Sequence, residues 1–272
     1  MKALKIIFFT TVFLFHVKAS SAQKGYINLN AEYGINFPYQ NIGTDITSNS
    51  VTVVKGTFGK GINCGGNIGY QVKKNVAIEL GANYITGSKY KLAATSAYYL
   101  PETINLKGKM LKLVPAVKLG IGQRGTGYVR IGLAVGVLNR LIINDDYTDN
   151  SYQRTLTTEV YKKGISFGVN TAIGVQKMTS KNFGFFAEIN STSQSWAPKQ
   201  SEITQYDVAG VSQLGTLKTN EKQFEYVSTY DPNAVPISSE PTKQLKHYYS
   251  FSNIGLSFGI KIVFGKKEEV KP

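Results

Sequence analysis

The C-terminal part of the chain alternates between large apolar residues and small or polar residues. From Ile254 to Phe264, every even position is large and apolar, and every odd position except Val263 is small, polar or basic. Successive side chains of a β-strand point to opposite faces, so this period of two predicts a strand with one apolar face. Repeated around a closed sheet, the pattern is that of a β-barrel whose outer face contacts lipid.

Seven upstream segments repeat this alternation, although the seventh is less regular. Most are at least as long as a tilted membrane strand, which needs roughly 9 to 11 residues. Eight strands give a barrel that is just wide enough for side chains to fill. Pro115, within the fourth segment, lacks a ladder N–H group and therefore predicts a β-bulge. The eight predicted strands are 27–37, 62–72, 76–84, 111–121, 129–137, 165–176, 183–190 and 254–264.

Short and long connections alternate between these segments, and the short ones are rich in Gly, Asn, Ser and Lys. This order places all the short turns at one end of the barrel. We therefore predict an all-β fold, an eight-stranded antiparallel up-and-down transmembrane β-barrel with short periplasmic turns and long external loops. The short turns are 73–75, 123–126 and 178–182, and the long connections are 38–59, 86–109, 144–164 and 192–248.

A soluble exported barrel of the lipocalin kind is the alternative fold, with its apolar face inside and an apolar ligand bound there. Its outer face would then be the face of Gly, Ala, Asn and Ser, nearly free of charge on all eight strands. Soluble antiparallel sheets usually carry Lys and Glu on that face, so the membrane barrel is favoured. The charged fraction of the chain, 18 %, is also below the roughly 25 % of ordinary soluble domains.

The N-terminus has the pattern of a secretory signal peptide. A basic start precedes an apolar run from Ile6 to Val17, and small residues lead to a predicted cleavage after Ala22. The run is shorter than the roughly 20 residues of a membrane-spanning helix. We predict a signal peptide at 1–22, an outer-membrane barrel at 23–264 and a polar periplasmic tail at 265–272.

The chain is basic, with a formal net charge of +14. For an exported chain, this charge favours outer-membrane lipid and the phosphates of lipopolysaccharide as partners. No nucleic-acid recognition motif accompanies the charge, so nucleic acid is not an expected partner. The single cysteine, Cys64, allows no disulfide within the chain and lies on the predicted lipid face.

Four residues of the last segment fit the C-terminal assembly signal of outer-membrane barrels. Ser257 is polar, Gly259 follows two positions later, and Ile262 and Phe264 supply the hydrophobic and aromatic positions. Together with the architecture, they make residues 23–264 resemble the small outer-membrane β-barrel proteins of Gram-negative bacteria, the OmpA-, OmpX- and OmpW-like group. The resemblance implies that the barrel-assembly machinery recognises these four residues. The tail is a departure, because the signal usually ends the chain.

Several charged residues fall on the inner face of the predicted barrel. An unpaired charge is costly in a low-dielectric interior, so we predict a network of ion pairs in the lumen. Such a network is either a plug that holds the barrel together or a gate on a polar pathway, and the plug is favoured. Its predicted members are Glu32, Glu79, Glu188, Lys112, Lys118, Arg130, Arg140 and Lys261.

No catalytic, cofactor-binding or metal site is predicted. The G-x-G-x-x-G match at 120–125 would need a following helix to bind a dinucleotide, and an alternating strand follows it instead. His247 is the only histidine after the predicted signal peptide, and Asp207 or Asp231 would be its partners in a catalytic pair. Nothing in the spacing selects those partners, so His247 is predicted to lie in an external aromatic belt.

These features predict a non-enzymatic outer-membrane protein with an envelope-structural or surface-interaction role. Its long, tyrosine-rich external loops would contact a surface ligand or a protein partner. The connection 192–248 is too long for a simple loop and predicts an additional hairpin. The alternatives are a narrow channel or transporter for small or apolar solutes, a subunit of a larger secretion or assembly complex, and, last, an enzyme acting on lipid or peptide.

Overall fold

A computed structural model describes residues 25–47, 49–96, 99–121, 126–148, 152–233 and 235–264. The predicted signal peptide and tail lie outside these residues. The fold is all-β, with one short 3-10 helix (Leu214–Thr216) and one helix, α1 (Thr219–Lys222). No helix in the described ranges is long and apolar enough to cross a membrane. The strands are β1 (Gly25–Asn36), β2 (Gln40–Ile46), β3 (Val51–Gly56), β4 (Gly61–Lys73), β5 (Val76–Gly87), β6 (Tyr90–Ser96), β7 (Tyr99–Ile121), β8 (Gly127–Gly136), β9 (Arg140–Thr148), β10 (Arg154–Lys162), β11 (Ser166–Met178), β12 (Phe183–Trp196), β13 (Gln200–Val208), β14 (Val211–Ser212), β15 (Gln223–Val227), β16 (Thr242–Leu245), β17 (Tyr249–Ser250) and β18 (Asn253–Phe264).

Antiparallel pairing closes part of this sheet into a ring. β1 pairs with β18 on one side and with β4 on the other. The ring continues from β4 through β5, β7, β8, β11 and β12, and β12 returns to β18. The whole sheet has 18 strands, so the predicted count of eight strands is not confirmed. The strands outside the ring extend beyond one of its ends.

Side chains alternate between the outside and the inside of the ring. On β1, Leu29, Tyr33 and Ile35 point outward and are about half exposed, whereas Asn28 and Glu32 point inward and are buried. The other ring strands follow the same rule, so the ring is apolar outside and polar inside, the reverse of a soluble barrel. The exposed apolar side chains of those strands include Ile62, Ile68, Leu80, Val117, Ile131, Phe167, Val169, Phe185, Leu256 and Phe258.

The two ends of the ring differ in their connections. Gly25 on β1 is in register with Phe264 on β18, so the first and last strands begin and end together. Tight turns join β4 to β5 and β11 to β12 at this same end. The predicted turn at 123–126 falls mostly on residues outside the described ranges. We call this the short-turn end of the ring.

The long connections contain further strands at the opposite end. Three of these connections were predicted as loops, whereas a hairpin was predicted within 192–248, where β13 and β14 pair antiparallel. β2 and β3 form one hairpin, and β9 and β10 form another. β7 has 23 residues, and its first half runs past the ring to pair with β6 and β9. The long connection before β18 contains β13 to β17, and β13 pairs with β10. We call these strands, with the first half of β7, the extension sheet.

An apolar cluster lies between the ring and the extension sheet. Its buried members include Phe58, Met110, Trp196 and Phe251, which are at most 2 % exposed. Trp196 and Phe251 meet edge to face, with ring centroids 6.1 Å apart. The indole N–H of Trp196 donates to the backbone oxygen of Lys163 at 3.0 Å, so its one polar group is also satisfied.

The structure contains no bulge at Pro115, and that prediction is wrong. The register of β7 with β5 runs unbroken through Leu80 and Pro115. On the β8 side, the pairs on either side of Pro115, Leu113 with Val135 and Ala116 with Gly132, keep the same register. The missing N–H group is therefore accommodated by a local gap in the ladder and not by an inserted residue.

Candidate functional site

Arg130 stands between two buried carboxylates inside the ring. Its guanidinium nitrogens lie 2.8 Å from Glu188 Oε1 and 3.5 Å from Glu79 Oε2. The three residues belong to β8, β12 and β5, which are not neighbours in the ring, so the ion pairs cross the lumen. None of the three is more than 6 % exposed.

Two tyrosines hold the remaining carboxylate oxygens. Tyr26 Oη donates to Glu79 Oε1 at 2.6 Å, and Tyr128 Oη donates to Glu188 Oε2 at 2.8 Å. A Cβ added at Gly174 would run into the Tyr128 ring, so the small residue makes room for the large one. Neither tyrosine was among the predicted site residues, although the alternation of β1 and β8 places both on the inner face.

Lys118 and Lys261 lie next to these tyrosines, toward the short-turn end. Lys118 Nζ lies 3.6 Å from the centroid of the Tyr128 ring, and Lys261 Nζ lies 3.9 Å from the centroid of the Tyr26 ring. Both ammonium groups also donate to Gln176 Oε1, at 3.2 and 3.1 Å. Aromatic faces and an amide oxygen thus take part in holding two buried cations.

A second polar layer lies closer to the apolar cluster. Glu32 accepts hydrogen bonds from Asn190 Nδ2 and Asn253 Nδ2, both at 3.0 Å. Lys112, which is 1 % exposed, donates to Thr192 Oγ1 at 2.9 Å. These amide and hydroxyl partners were not among the predicted site residues, because an uncharged polar residue on an alternating strand gives no signal of its own.

Arg140, one of the eight predicted residues of the lumen network, lies outside it. β8 ends at Gly136, and the chain turns through Asn139 before β9 begins at Arg140. The inward-outward alternation of β8 therefore does not continue to Arg140, which is exposed. The prediction that its side chain faces the lumen is wrong.

The residues of the predicted assembly signal lie along β18. Ser257 is fully buried, and Gly259 lies against the ring of Phe186. Ile262 and Phe264 are at the short-turn end, and Phe264 is half exposed. The pattern thus combines two inner positions, Ser257 and Gly259, with an outer apolar edge.

His247 lies far from the polar interior, just before β17. Its ring is exposed and lies 5.3 Å from the ring of Tyr249. Within the described part of the chain, neither Asp207 nor Asp231 hydrogen-bonds to it. Asp207 accepts from the Gln205 amide instead, and Asp231 accepts from the backbone N–H of Asn233.

The space left inside the ring is unevenly distributed. A cavity of about 10 Å³ lies in the middle, among Asn67, Glu79, Arg130 and Asn190, and has about the volume needed for one water molecule. A larger cavity of about 250 Å³ opens at the short-turn end. We call this larger cavity the vestibule.

Comparison with known proteins gives no family. No protein-family model matches the chain, and no curated protein sequence matches it. The crystal structure of Acinetobacter baumannii CarO2 is 13 % identical, with a TM-score of 0.36 over 89 % of this chain and 99 % of that one. A. baumannii CarO has 13 % identity and a TM-score of 0.33 over 87 % and 97 % of the two chains. The Escherichia coli outer membrane protease OmpT has 7 % identity and a TM-score of 0.28 over 91 % and 99 %. Such low TM-scores assign neither a fold nor a function to this chain.

Proposed function

We propose that this chain is a non-enzymatic outer-membrane β-barrel protein whose eight-strand ring spans the membrane. The extension sheet would be its external contact region, with an envelope-structural or surface-interaction role. The observation that carries the proposal is the inversion of the ring, which exposes apolar side chains and buries charged ones. Other features of the fold indicate which end of the ring would face the periplasm and that the lumen is closed.

β7 supports the membrane span most clearly, because its two faces exchange character along its length. In its first half, Leu106 and Met110 point inward and are buried, while Lys107 and Lys109 lie on the outer face. From Leu111 to Ile121 the outer face is apolar, and the inner face contains Lys112 and Lys118. This second part has the roughly 9 to 11 residues that a tilted strand needs to cross a membrane. The boundary between lipid and water would therefore lie between Lys109 and Leu111 on the outer face of β7.

The ring also meets the requirement that lipid imposes on the backbone. In hydrocarbon, the N–H and C=O groups must be hydrogen-bonded within the protein, which a closed ring achieves apart from the gap at Pro115 and an open edge does not. The pairing of β1 with β18 provides that closure.

The short-turn end would face the periplasm. The basic chain would contact lipopolysaccharide phosphates at the opposite side of the membrane. The barrel-assembly machinery would be its folding partner.

A filled lumen argues for a closed barrel and against a pore. Arg130, Glu79, Glu188 and Lys112 occupy the middle of the ring, and the central cavity holds about one water molecule. Above this layer, the apolar cluster that contains Trp196 covers the end of the ring. An ion would have to displace paired charges and then pass a closely packed cluster of mostly apolar side chains.

Conductance in planar bilayers tests this proposal. The purified protein, shown to be folded by its heat-dependent mobility on a gel, is expected to give no single-channel steps after insertion. Steps that vanish when Lys112 or Arg130 is replaced would show a lumen pathway and would overturn the closed barrel. A protein that never inserts into vesicles would overturn the membrane span itself.

A narrow channel or transporter is the second candidate, and the vestibule is the observation that favours it. The vestibule reaches inward as far as Lys118 and Lys261, so a solute could enter the ring from the short-turn end. Passage would then require the ion pairs of Arg130 to separate. Solute flux into vesicles in the absence of ion conductance would favour this candidate.

A further inference from the structure

The vestibule carries positive charge without matching negative charge, and we propose that it binds a phosphate-type anion. The site consists of Lys118 and Lys261 in its floor and Lys74 and Lys181 at its mouth. This proposal goes beyond the proposed function and does not depend on which side of a membrane the short-turn end faces.

The composition of the walls is the first argument. Four lysines line the vestibule, and no acidic residue does. Its other polar walls are the neutral side chains of Gln71, Asn75, Gln176 and Tyr26. At about 250 Å³, it is somewhat smaller than the roughly 300 to 1,000 Å³ of pockets for drug-sized ligands. It therefore suits a small anion.

The charge balance of the interior is the second argument. The buried charged residues of the described chain are three acids and four bases, so one positive charge is in excess. The surplus lies at the vestibule, where the close contacts of Lys261 with described residues are the Tyr26 ring and Gln176, while Glu79 and Lys118 act on it at longer range. Among the described residues, Lys261 makes no salt bridge. Its neighbour Lys118, in contrast, lies 3.7 Å from Glu79 Oε1.

Because Lys261 is buried, an anionic partner would stabilise its ammonium group. The residue is 9 % exposed, and a buried ammonium group without a counter-charge is costly. An anion in the vestibule would offset that cost while leaving the bond to Gln176 intact. Lys74 and Lys181 are exposed at the rim and could close on the same anion as point charges. Because all four groups are ammonium donors, they would recognise oxyanion charge without fixing a particular shape.

Lys177, which follows Gln176 on β11, is a matched control for Lys261. Lys177 is also at the short-turn end, but its side chain points outward and is exposed. Replacing either Lys177 or Lys261 by Gln removes one positive charge from the same end of the ring. Only the second change removes it from the vestibule.

The proposal is tested by calorimetric titration with sodium pyrophosphate. The titration uses the full-length protein in non-ionic detergent at constant ionic strength. The unaltered protein is expected to show saturable binding of one anion. Lys261→Gln should weaken binding by about tenfold or more, since hydrogen bonds to charged groups are the stronger class. Lys177→Gln should leave the affinity unchanged. The double variant Lys74→Gln/Lys181→Gln changes only exposed side chains and should weaken binding without affecting the buried network.

The source of the anion is tested by repeating the titration in lipid nanodiscs. Lower pyrophosphate affinity in discs of phosphatidylcholine, whose headgroup has a phosphate but no net charge, than in the phosphate-free detergent would show that a lipid phosphate competes for the vestibule. Equal affinities would assign the site to a soluble phosphate compound. The proposal is overturned if pyrophosphate shows no saturable binding, or if Lys177→Gln weakens it as much as Lys261→Gln does.

Discussion

The interior of the ring and the apolar cluster above it lie next to each other on the same strands, yet they are built from opposite kinds of side chain. Met110 and Lys112 are successive inward positions of β7, and both are at most 1 % exposed. Met110 packs among aromatic rings, while Lys112 is held by a hydroxyl group. The outward face changes at the same level, from lysines to leucines and valines.

This difference shows that the character of the outer face of a barrel determines which side chains face its interior. Where the outer face consists of apolar side chains, the alternation leaves mainly small, polar and charged residues for the inside, with Val114 and Phe186 as apolar exceptions. Those residues must then form hydrogen bonds and ion pairs with one another, as Arg130 and Glu188 do at 2.8 Å. Where the outer face is polar, the apolar side chains turn inward and pack as in a soluble protein.

The largest expected effect is that of removing the central cation. Arg130→Ala leaves Glu79 and Glu188 buried without their counter-charge and should lower the free energy of unfolding by about 3–5 kcal/mol. Urea unfolding in vesicles, followed by the fluorescence of the single tryptophan, Trp196, measures this loss. The exposed Arg140 provides the control, and Arg140→Ala should change stability by no more than about 0.5 kcal/mol. Equal effects of the two changes would mean that the lumen ion pairs do not stabilise the ring.

A smaller effect is expected in the apolar cluster. Trp196→Phe removes packing and leaves the oxygen of Lys163 without its donor, which should cost about 1–3 kcal/mol. The loss should appear as faster hydrogen exchange in the extension sheet, with the ring strands unchanged. Tyr39→Phe, at a side chain that is 66 % exposed, should change neither region. Faster exchange throughout the ring would show that the two regions unfold as one.

The smallest effect is a pH dependence confined to the extension sheet. Partial burial, with Glu102 and Asp146 nearby, raises the pKa of Asp145 to about 6 from its usual 3.8. A raised carboxyl pKa means that the stabilisation is complete below about pH 3.8 and is lost as pH rises through about 6. Hydrogen exchange of β9 and β10 should therefore become faster between pH 4 and pH 7, after correction for the intrinsic rate. Asp145→Asn should remove that change, and its persistence in the variant would assign it to another group.

The alternation of apolar residues was enough to place the ring strands and their faces. It puts Leu29 outside and Glu32 inside, which is where the structure has them. It also puts Glu79 and Arg130 at similar depth on nearby strands, and the structure brings them within 3.5 Å. A strict period of two is reliable here because every residue of a ring strand faces either the outside or the lumen.

The same signal could not reveal the extension sheet or the full set of interior partners. β10 reads Arg-Thr-Leu-Thr-Thr-Glu-Val-Tyr-Lys, in which polar residues occur on both faces, so no apolar alternation marks it as a strand. Arg140 was misplaced because the sequence does not show where β8 ends. Tyr26 and Gln176 could have been placed inside by alternation, but which carboxylate or ammonium group they meet depends on the register around the ring.

The position of Cys64 allows the most direct test of the central claim, that the outer face of the ring contacts lipid. Cys64 is exposed on β4, between Ile62 and Ile68 on the same face, and it is the only cysteine of the chain. A nitroxide spin label attached there, in vesicles, should relax strongly with oxygen, which dissolves in lipid, and weakly with a water-soluble nickel chelate. The opposite order, with strong relaxation by the chelate, would place this face in water and would contradict the membrane barrel.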